Sequence, residues 1–489
     1  MKKPKASSQV DRDTQDFLSK YLKEVKENNA AVFVGAGLSK SAGYVDWSGL
    51  LSEVAKGLGL DANRETDLVA LAQYHLNSNA TNRHHLTQLL IDEFSDLKDP
   101  TENHQILARL PVQTFWTTNY DRLIEKALEA GGKRVDAKYT KEQLATTRRG
   151  RDAVVYKMHG DIEQPDKAIL SKDDYEKYHQ THGPFTTALS GDLVEKTFLF
   201  LGFSFTDPNL DFIMSRIRAT FTNHQRQHYC IARKRSRNKG EKEAEFQYAK
   251  IKQDLVTQDL MRFNIKTIFV DEFSEITVLL KTLEDRYRRR TVFISGSAAD
   301  YGTWGQAATE DFVAKLSRAL IDKDLRITSG FGLGIGGAVV TGAVQQIYST
   351  RQRSVDEQLV LRPFPIGITD TTERQETFTR YRVELIAQAG IAVFIMGNKT
   401  VGGSIVTADG MRSEFELAKK SGLYLIPVGA SNSMAGDLWN EVMSDFDKCY
   451  PGASSSVKKL MSKLGEPTDK PETLLRPLLD LIQNLASGE

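Results

Sequence analysis

Four short polar segments in the N-terminal half carry residue types suited to acid–base chemistry and to phosphate binding. Each follows an apolar run, so each is expected where a buried strand meets its loop. Loops that follow parallel strands gather at the carboxyl edge of a sheet, where open α/β folds bind ligands. The segments are Gly35 to Ser39, Thr117 to Asp121, His159 to Asp161 and Gly202 to Asn209. We expect the four segments to converge on one crevice.

The first segment is a glycine-rich turn, GAGLS, directly after the apolar run AAVFV. Glycines let a backbone approach a pyrophosphate closely, and the N-terminus of a following helix offers free N–H groups. The pattern alone is weak, because a tight turn that binds no ligand uses the same residues. Taken with the other segments, it predicts dinucleotide contacts at Gly35, Ala36, Gly37 and Ser39.

Asn119 and His159 are the candidate catalytic residues. An imidazole titrates near neutral pH, so His159 suits a general base that activates water. The side-chain amide of Asn119 can donate and accept a hydrogen bond at once, which suits holding a water or a sugar hydroxyl. A lone histidine or asparagine after a strand is more often a structural residue. Neither residue therefore identifies a site by itself.

The apolar pattern places these segments on a parallel sheet. An amphipathic stretch from Phe17 to Val25 predicts a first helix, and apolar runs then alternate with segments long enough to be helical. This alternation is typical of a mostly parallel sheet with helices on both faces. The strand candidates of this half are AAVFV, TFWTTN, AVVYKMHG, TFLFLGFSF, QHYCIA and IKTIFV.

A second α/β pattern begins near residue 287. A helix candidate from Glu275 to Arg290 closes the first half, and a chain of 489 residues exceeds what one core usually supports. The second half repeats the alternation, with a helix predicted from Asp311 to Leu320 and strands at VFISGS, LRITSG, QLVLRPFP, IAVFIMG and YLIPVGA. We expect an α/β protein of two doubly wound, Rossmann-like domains, 15–286 and 287–489, after a disordered tail over residues 1–14.

The second half has its own glycine-rich loop, GFGLGIGG, after the strand candidate LRITS. The loop contains GxGxxG at Gly332, Gly334 and Gly337, but the next strand candidate runs into Arg362 instead of the acidic residue that holds an NAD ribose. A second dehydrogenase-type site is therefore not expected. The loop still suits phosphate, as does the SGS turn that ends at Ser297.

Composition excludes several other classes of protein. A formal net charge of +1, with 26% charged and 40% hydrophobic residues, provides no field for attracting nucleic acid or anionic lipid. Cys230 and Cys449 stand far apart and form no CxxC, which excludes a thiolate zinc ribbon and argues against a disulfide scaffold. No apolar run reaches the ~18 residues of a membrane helix, and the basic N-terminus lacks an apolar h-region. We expect a cytoplasmic protein with no nucleic-acid or membrane partner.

Taken together and in this order, the four segments resemble the sirtuin superfamily, whose NAD-binding core carries GAGxS, a TxNxD-type motif and a catalytic HG. The resemblance implies that NAD+ is the substrate, and with only two distant cysteines we expect no metal to take part. Breaking its nicotinamide N-glycosidic bond builds positive charge on the ribose, and His159 would activate water directly or through a ribose hydroxyl. The resemblance assigns the dinucleotide turn to Gly35, Ala36, Gly37 and Ser39, the nicotinamide ribose motif to Asn119 and Asp121, and the ribose-contacting loop to Ser204.

Two departures from that superfamily concern a peptide substrate. Protein-deacylating sirtuins generally carry a module of zinc-binding cysteines that helps form the acyl-peptide groove, and two distant cysteines cannot build one. This chain also has Trp47 and Ser48 where those enzymes usually have Phe-Arg. Both departures favour cleavage of NAD+ with water as the acceptor over transfer to a peptide.

The second half resembles the SLOG family of nucleotide-ligand sensors, through its SGS turn, its glycine-rich loop and the segment SEFE before a late helix. The resemblance implies that Arg382 and Lys399 contact phosphates and that Glu414 accepts from a ribose or an adenine. Arg382 is expected at the start of a helix over YRVELIAQAG. The sensor residues predicted in full are Ser297, Gly332, Gly334, Arg382, Lys399 and Glu414.

A sirtuin-like domain followed by a SLOG domain is similar to the NADase effectors of Thoeris antiphage defence. That similarity implies an NAD+ glycohydrolase that releases nicotinamide and ADP-ribose and depletes cellular NAD+. It implies activation by a cyclic ADP-ribose isomer, bound to the C-terminal domain and supplied by a TIR-domain partner protein. It also implies a homotetramer, with filaments as a further assembly.

Two alternatives stay open. An NAD-dependent deacylase or ADP-ribosyltransferase would use the same NAD+ site, and the missing cysteine cluster argues against it. A non-enzymatic nucleotide-binding scaffold would use the first domain to sense NAD+. Release of nicotinamide from NAD+, measured together with loss of acyl groups from a peptide, distinguishes the three.

Overall fold

The computed structural model describes residues 12–65, 67–205, 207–221, 224–349, 354–365 and 367–487. The chain divides into two compact units, Met1–Glu284 (unit 1) and Asp285–Glu489 (unit 2). Residues 1–11 of the tail predicted over residues 1–14 lie outside the described residues. Arg12 to Thr14, which we had assigned to that tail, form the start of the first helix instead.

Unit 1 is built on a seven-stranded sheet in which every pairing is parallel, with strand order β3-β4-β2-β1-β5-β6-β7. Parallel strands covered on both faces are continuous apolar runs, and β1 and β5 are buried at every residue. The strands are β1 Ala30–Val34, β2 Thr114–Thr117, β3 Val135–Lys138, β4 Ala153–Lys157, β5 Thr197–Leu201, β6 His228–Arg233 and β7 Ile265–Val270.

Helices connect these strands, as the parallel pairing requires. In chain order they are α1 Arg12–Lys26, α2 Ala36–Lys40, α3 Trp47–Leu50, α4 Ser52–Gly57, α5 Leu68–Ser78, α6 His84–Phe94, α7 Glu102–Arg109, α8 Leu123–Ala130, α9 Lys141–Leu144, a 3-10 helix Pro165–Lys167, α10 Lys172–Glu176, α11 Tyr178–Thr181, α12 Gly183–Glu195, α13 Pro208–Phe221, α14 Glu243–Met261 and α15 Ser274–Arg288. Packed aromatic residues dominate the core under β5, where Phe33 and Phe200 stack with ring centroids 5.4 Å apart.

Unit 2 is built on a five-stranded parallel sheet of order β10-β9-β8-β11-β14, with a separate antiparallel hairpin of β12 and β13. The strands are β8 Thr291–Ser297, β9 Arg326–Ser329, β10 Leu359–Leu361, β11 Ile391–Met396, β12 Asn398–Val401, β13 Ser404–Thr407 and β14 Tyr424–Pro427. The central strand β11 is buried at every residue, and one continuous core surrounds it.

The helices of unit 2 cover both faces of this sheet. They are a 3-10 helix Gly302–Trp304, α16 Gln306–Asp322, α17 Gly336–Tyr348, α18 Val355–Gln358, α19 Thr371–Ala387, α20 Asp409–Lys420, a 3-10 helix Gly429–Ser431, α21 Ser433–Ser444, α22 Phe446–Cys449, α23 Ser455–Lys463 and α24 Glu472–Ser487. The predicted fold class, two Rossmann-like α/β domains with mostly parallel sheets, is confirmed. Within the described ranges, no helix combines the length and the apolar character needed to cross a membrane.

The structure corrects two helix predictions in unit 2. Arg382 does not lie at the start of a helix but in the last third of α19, which begins at Thr371 and is capped by the Asp370 side chain. The segment SEFE does not precede a late helix, because it lies inside α20 and carries Glu414 on its buried face. The first turns of α19 are polar and exposed, so no apolar periodicity marks them. Helix α20 begins four residues before the segment, at Asp409, and its first turn contains buried Met411.

Candidate active site

Four loops leave the sheet of unit 1 at the same level. Parallel pairing aligns Val34 of β1 with Thr117 of β2 and with Leu201 of β5. It also aligns Thr117 with Lys157 of β4. Each of the four polar segments begins within two residues of its aligned strand residue. The segments therefore meet at the carboxyl edge of the sheet.

The glycine-rich turn packs directly against the loop that follows β5. The Gly35 amide donates to Leu201 O and the Gly37 amide to Gly202 O, each at 2.9 Å. A Cβ atom at Gly35 would lie 2.5 Å from Gly202 O, and one at Gly202, where φ is +64°, would collide with the Leu38 amide nitrogen. These glycines are therefore needed for the contact between two loops. The amides of Gly35 and Gly37 serve that contact, so neither is free for a phosphate.

Ser39, Asn119 and Asp121 form one buried hydrogen-bonded cluster, although two strands carry them. Ser39 Oγ donates to Asp121 Oδ2 at 2.7 Å, and Asn119 Nδ2 donates to Ser39 Oγ at 2.9 Å. Two bonds within the loop also fix its backbone: Thr117 Oγ1 accepts from the backbone N–H of Asn119, and Asp121 Oδ1 accepts from the backbone N–H of Leu123. The cluster therefore holds the side-chain amide of Asn119 in one orientation.

A buried lysine supports this loop from below. Lys157, fully inaccessible to solvent, donates to Tyr120 O at 3.2 Å and to Asp121 O, and it pairs with the carboxylates of Glu125 and Asp161. Burial lowers the pKa of Lys157, but the two carboxylates raise it more, so its net shift is upward. Burial also raises the pKa of Glu125. Sequence reasoning missed this residue, whose signal was a lysine at the end of the otherwise apolar strand AVVYK.

His159 lies on the loop after β4 and is almost inaccessible, with 2% of its side chain exposed. Its Nε2 lies 3.1 Å from Asp207 Oδ2, a charge contact whose angles fall short of an aligned hydrogen bond. The imidazole also meets two tyrosine rings nearly at right angles, Tyr175 at 5.3 Å and Tyr178 at 6.2 Å between centroids. Its neighbours thus fix the ring plane on three sides.

The fourth segment contributes Asp207 more than Ser204. Ser204 is exposed, and the next residue, Phe205, has φ +57°. Asp207 is buried, and its Oδ1 accepts from the amides of Asn209 at 2.9 Å and Leu210 at 3.0 Å, which caps α13. Burial raises the pKa of Asp207, but the charge of His159 and these hydrogen bonds lower it more, so the carboxyl group is ionised at neutral pH.

A second group of histidines in unit 1 lies on α5 and α6. His84 and His85 are exposed on α6, and His85 Nδ1 lies 3.0 Å from His75 Nε2 on α5. Among the described residues, no three histidine, cysteine, aspartate or glutamate side chains are grouped so that they could hold a metal ion.

In unit 2, Ser295, Arg382 and Glu414 come together at the carboxyl end of β8. Ser295 Oγ donates to Glu414 Oε2 at 2.6 Å, and Arg382 Nε lies 3.6 Å from Glu414 Oε1. The Arg382 guanidinium also lies over the rings of Phe364 and Phe378, 5.1 and 5.8 Å from their centroids. Burial raises the pKa of Glu414, and the contacts with Ser295 and Arg382 offset only part of that rise.

The remaining predicted sensor residues border this cluster. Lys399, on the β12–β13 hairpin, pairs with Asp409 at the start of α20. A Cβ atom on the next residue, Gly410, would lie 3.1 Å from an Arg382 terminal nitrogen, so Lys399 and Arg382 approach the same helix end. Arg362, which follows β10, pairs with Glu384.

The glycine-rich loop of unit 2 also packs on a neighbouring turn. A Cβ atom at Gly332 would collide with Gly296 O, and one at Gly334, where φ is +78°, would collide with Ala298 O. Ser297 lies between those two contact points. Nothing lies within 4 Å of a Cβ atom at Gly337. The loop is therefore held against the SGS turn by the close approaches at Gly332 and Gly334 and by a hydrogen bond from the Ala298 amide to Leu333 O at 2.8 Å.

Both units match described families. Residues 113–253 match the SIR2-like domain, and residues 275–485 match STALD, the Sir2- and TIR-associating SLOG family. The chain is thus a SIR2-like protein with a C-terminal SLOG domain, as its motifs had suggested.

Full-length relatives identify the family more closely. Two proteins named NAD(+) hydrolase ThsA, from Bacillus cereus (strain MSX-D12) and Acinetobacter baumannii (strain 532279), are 49% and 50% identical to it, each covering 96% of this chain and 98% of that protein. A third of the same name, from Cytobacillus dafuensis, is 43% identical and covers 97% of both chains. The chain belongs to the ThsA family.

Proposed function

We propose that unit 1 hydrolyses NAD+ to nicotinamide and ADP-ribose, the activity that the name of its relatives gives for them. The observation that carries the proposal is the buried cluster of Ser39, Asn119 and Asp121, aligned in register with the loop of His159. The cluster offers an oriented amide and a carboxylate, and the neighbouring loop offers a base. Those groups suit the ribose and a water molecule.

The reaction can be written with these residues. Water attacks C1′ of the nicotinamide ribose, the C1′–N bond breaks, and nicotinamide leaves with the bonding electrons. His159 accepts the proton that the water loses and returns it to solvent, so the products are ADP-ribose, nicotinamide and one proton. Asn119 Nδ2 is committed to Ser39, so we assign its Oδ1 to holding the water. The negative charge of Asp121 favours the positive charge that develops on the ribose.

Turnover assays on full-length variants test these assignments. We expect Asn119→Ala and His159→Ala each to reduce nicotinamide release by about 10²–10⁴-fold, the usual effect of losing a positioned acid–base group. His84→Ala, at an exposed position on α6, is the matched control and should retain wild-type turnover. Wild-type turnover by a folded His159→Ala protein would remove this residue from the mechanism.

The same assay separates this activity from the two alternatives. A deacylase or ADP-ribosyltransferase would consume NAD+ only with an acceptor, whereas a scaffold would bind NAD+ without releasing nicotinamide. We expect nicotinamide release without any acyl-lysine peptide, and no loss of the acyl group when one is added. Robust NAD+-dependent deacylation would instead assign the site to peptide chemistry.

We further propose that unit 2 binds a cyclic ADP-ribose isomer that activates unit 1. In support, Arg382 and Lys399 approach one helix end with cationic groups, while Glu414 offers a buried acceptor. We assign to its phosphates Ser297, on the same SGS turn as Ser295, and Gly332 and Gly334, on the loop packed against that turn. A cation that contacts a phosphate commonly contributes enough for Arg382→Ala to weaken binding by at least about tenfold.

Calorimetry with a panel of cyclic ADP-ribose isomers, alongside NAD+ turnover, tests this regulation. Arg374→Ala, at an exposed position on the same helix as Arg382, is the matched control. A ligand shifts an equilibrium only by its differential affinity for the two states, so weaker binding and weaker activation should occur together in Arg382→Ala. Unchanged affinity with normal activation would exclude Arg382 from the sensor.

The family resemblance extends the proposal to the cell. We propose a cytoplasmic homotetramer, able to form filaments, that depletes NAD+ during phage infection when a TIR-domain partner supplies the activating nucleotide. No metal, membrane or nucleic acid is required. Light scattering on the purified chain should give a mass about four times 54.8 kDa, and a monomer mass would contradict this arrangement.

A further inference from the structure

We propose that Asp207 is a positioning residue for His159, holding Nε2 of the imidazole so that Nδ1 is the nitrogen that takes the proton from water. The proposal rests on the proposed function, in which His159 is the general base. The two atoms in contact are His159 Nε2 and Asp207 Oδ2, 3.1 Å apart, and the side chains are 2% and 8% exposed. No part of the mechanism above uses this carboxylate.

The carboxylate is itself anchored, which is what a positioning group requires. Its Oδ1 accepts the amides of Asn209 and Leu210 at the start of α13, so the second oxygen points away from the helix toward His159. Tyr175 OH adds a hydrogen bond to Oδ2 at 3.4 Å. Because the helix cap fixes one oxygen of the carboxylate, the other oxygen holds the imidazole of His159 in one position.

The contact also spans the crevice. His159 follows β4 and Asp207 follows β5, and the sheet places β2 and β1 between those two strands. The pair of His159 and Asp207, called the dyad below, therefore joins two loops that lie on opposite sides of the Gly35 turn and the Asn119 loop. A contact of this kind ties the base to the same edge of the sheet as the cluster that would hold the ribose.

Ionised Asp207 has two effects on a base at this position. It stabilises the imidazolium that forms when His159 takes a proton, and it fixes which ring nitrogen carries the hydrogen in the resting state. The other groups facing the ring are Tyr175 on α10, Tyr178 on α11 and His182 after α11. Of these neighbours, Asp207 alone is an anion.

Two substitutions separate the effect of the negative charge of Asp207 on His159 from its role as the cap of α13. Asp207→Asn keeps an oxygen for the Asn209 and Leu210 amides but loses the charge, and its NH2 group would donate to Nε2 and leave Nδ1 protonated. Asp207→Ser keeps a good helix cap, but its side chain is too short to reach His159. Asp211→Asn, on the exposed face of α13, is the matched control.

We expect Asp207→Asn and Asp207→Ser to lower kcat by about 10²–10⁴-fold, with unchanged thermal unfolding and little change in KM for NAD+. Asp211→Asn should behave as wild type.

Histidine-selective NMR labelling of the full chain provides a readout that does not depend on turnover. The ring nitrogen resonances of His159, assigned with His159→Ala, should show the hydrogen on Nε2 in wild type and on Nδ1 in Asp207→Asn. The same His159 ring nitrogen resonances in wild type and in Asp207→Asn, or wild-type kcat in both Asp207 variants, would overturn the role of Asp207. An inactive wild type with the expected NMR shift would instead overturn the proposed function and leave the dyad in place.

Discussion

Ser39→Ala is the substitution that most directly tests the buried cluster of unit 1. Ser39 Oγ is the central atom, because it donates to Asp121 Oδ2 at 2.7 Å and accepts from Asn119 Nδ2 at 2.9 Å. The side chain is buried, with 2% of the residue exposed. Alanine removes one atom and introduces no larger group, so the substitution changes hydrogen bonding without overpacking the site.

The expected cost follows from the two bonds. A hydrogen bond to a carboxylate contributes about 1.5–3 kcal/mol and a neutral one about 0.5–1.5 kcal/mol, and burial leaves both former partners poorly solvated. We therefore expect Ser39→Ala to lower the free energy of unfolding of unit 1 by about 2–4 kcal/mol. Because Asn119 loses the group that orients its amide, we also expect kcat to fall by about 10–100-fold, which corresponds to about 1.4–2.7 kcal/mol.

Ser41→Ala is the matched control for Ser39→Ala. Ser41 lies one residue beyond α2, and its hydroxyl donates only to Leu38 O at 2.6 Å, a neutral contact worth about 1 kcal/mol. Denaturant unfolding and nicotinamide release would be measured for both variants at the same pH. If Ser39→Ala matched Ser41→Ala in both measurements, the cluster would have no special role and the reasoning would be refuted.

Two further predictions concern stability. Gly202→Ala should destabilise unit 1 by about 2–4 kcal/mol and abolish turnover, because the new Cβ collides with the Leu38 amide nitrogen and Gly202 has a positive φ. Gly183→Ala is the control: its Cβ has open space around it, so thermal unfolding should be unchanged. Burial lowers the pKa of His104 to about 4 and that of His228 to about 3, below the ordinary 6.5. The unfolded chain therefore binds protons at a higher pH than the folded chain, and the free energy of unfolding decreases as pH falls from 6.5 toward 4. At pH 5 each histidine should cost about 2 kcal/mol relative to pH 7, and denaturant unfolding of His228→Gln should show that share of the loss removed.

The strands were predictable from sequence wherever burial on both faces made them continuous apolar runs. β3 escaped prediction because its residues VDAK include Asp136 and Lys138, which pair at 2.8 Å in the interior. The β12–β13 hairpin escaped because its second strand is exposed throughout, although Gly402 and Gly403 at its turn are a typical hairpin signal.

Within the candidate site, sequence patterns identified the residues that follow strands, and they missed those that act through long-range contacts. Lys157 supports the site because it pairs with Glu125 and donates to the backbone of the Asn119 loop. Asp207 likewise stood in a predicted segment without a role, because two strands, β2 and β1, lie between the strands that its loop and the loop of His159 follow. Neither contact has a signature in local sequence, since each depends on how strands order themselves.

The charges of the two sites support a division of labour between the units. Both sites use glycines mainly to let loops cross, so the glycine motifs alone do not distinguish cleavage from binding. In unit 1 the charged group that we assign to the ribose is the carboxylate of Asp121, which would favour the positive charge of a breaking glycosidic bond. In unit 2 the corresponding groups are the cations Arg382 and Lys399, each facing a carboxylate. Cations at that position would disfavour an oxocarbenium ion and favour phosphates, and a bound phosphate must compete with the carboxylates for both side chains. Under the proposed function we expect this site to bind a nucleotide at the cost of rearranging its own ion pairs, which is what a sensor, and not a hydrolase, requires.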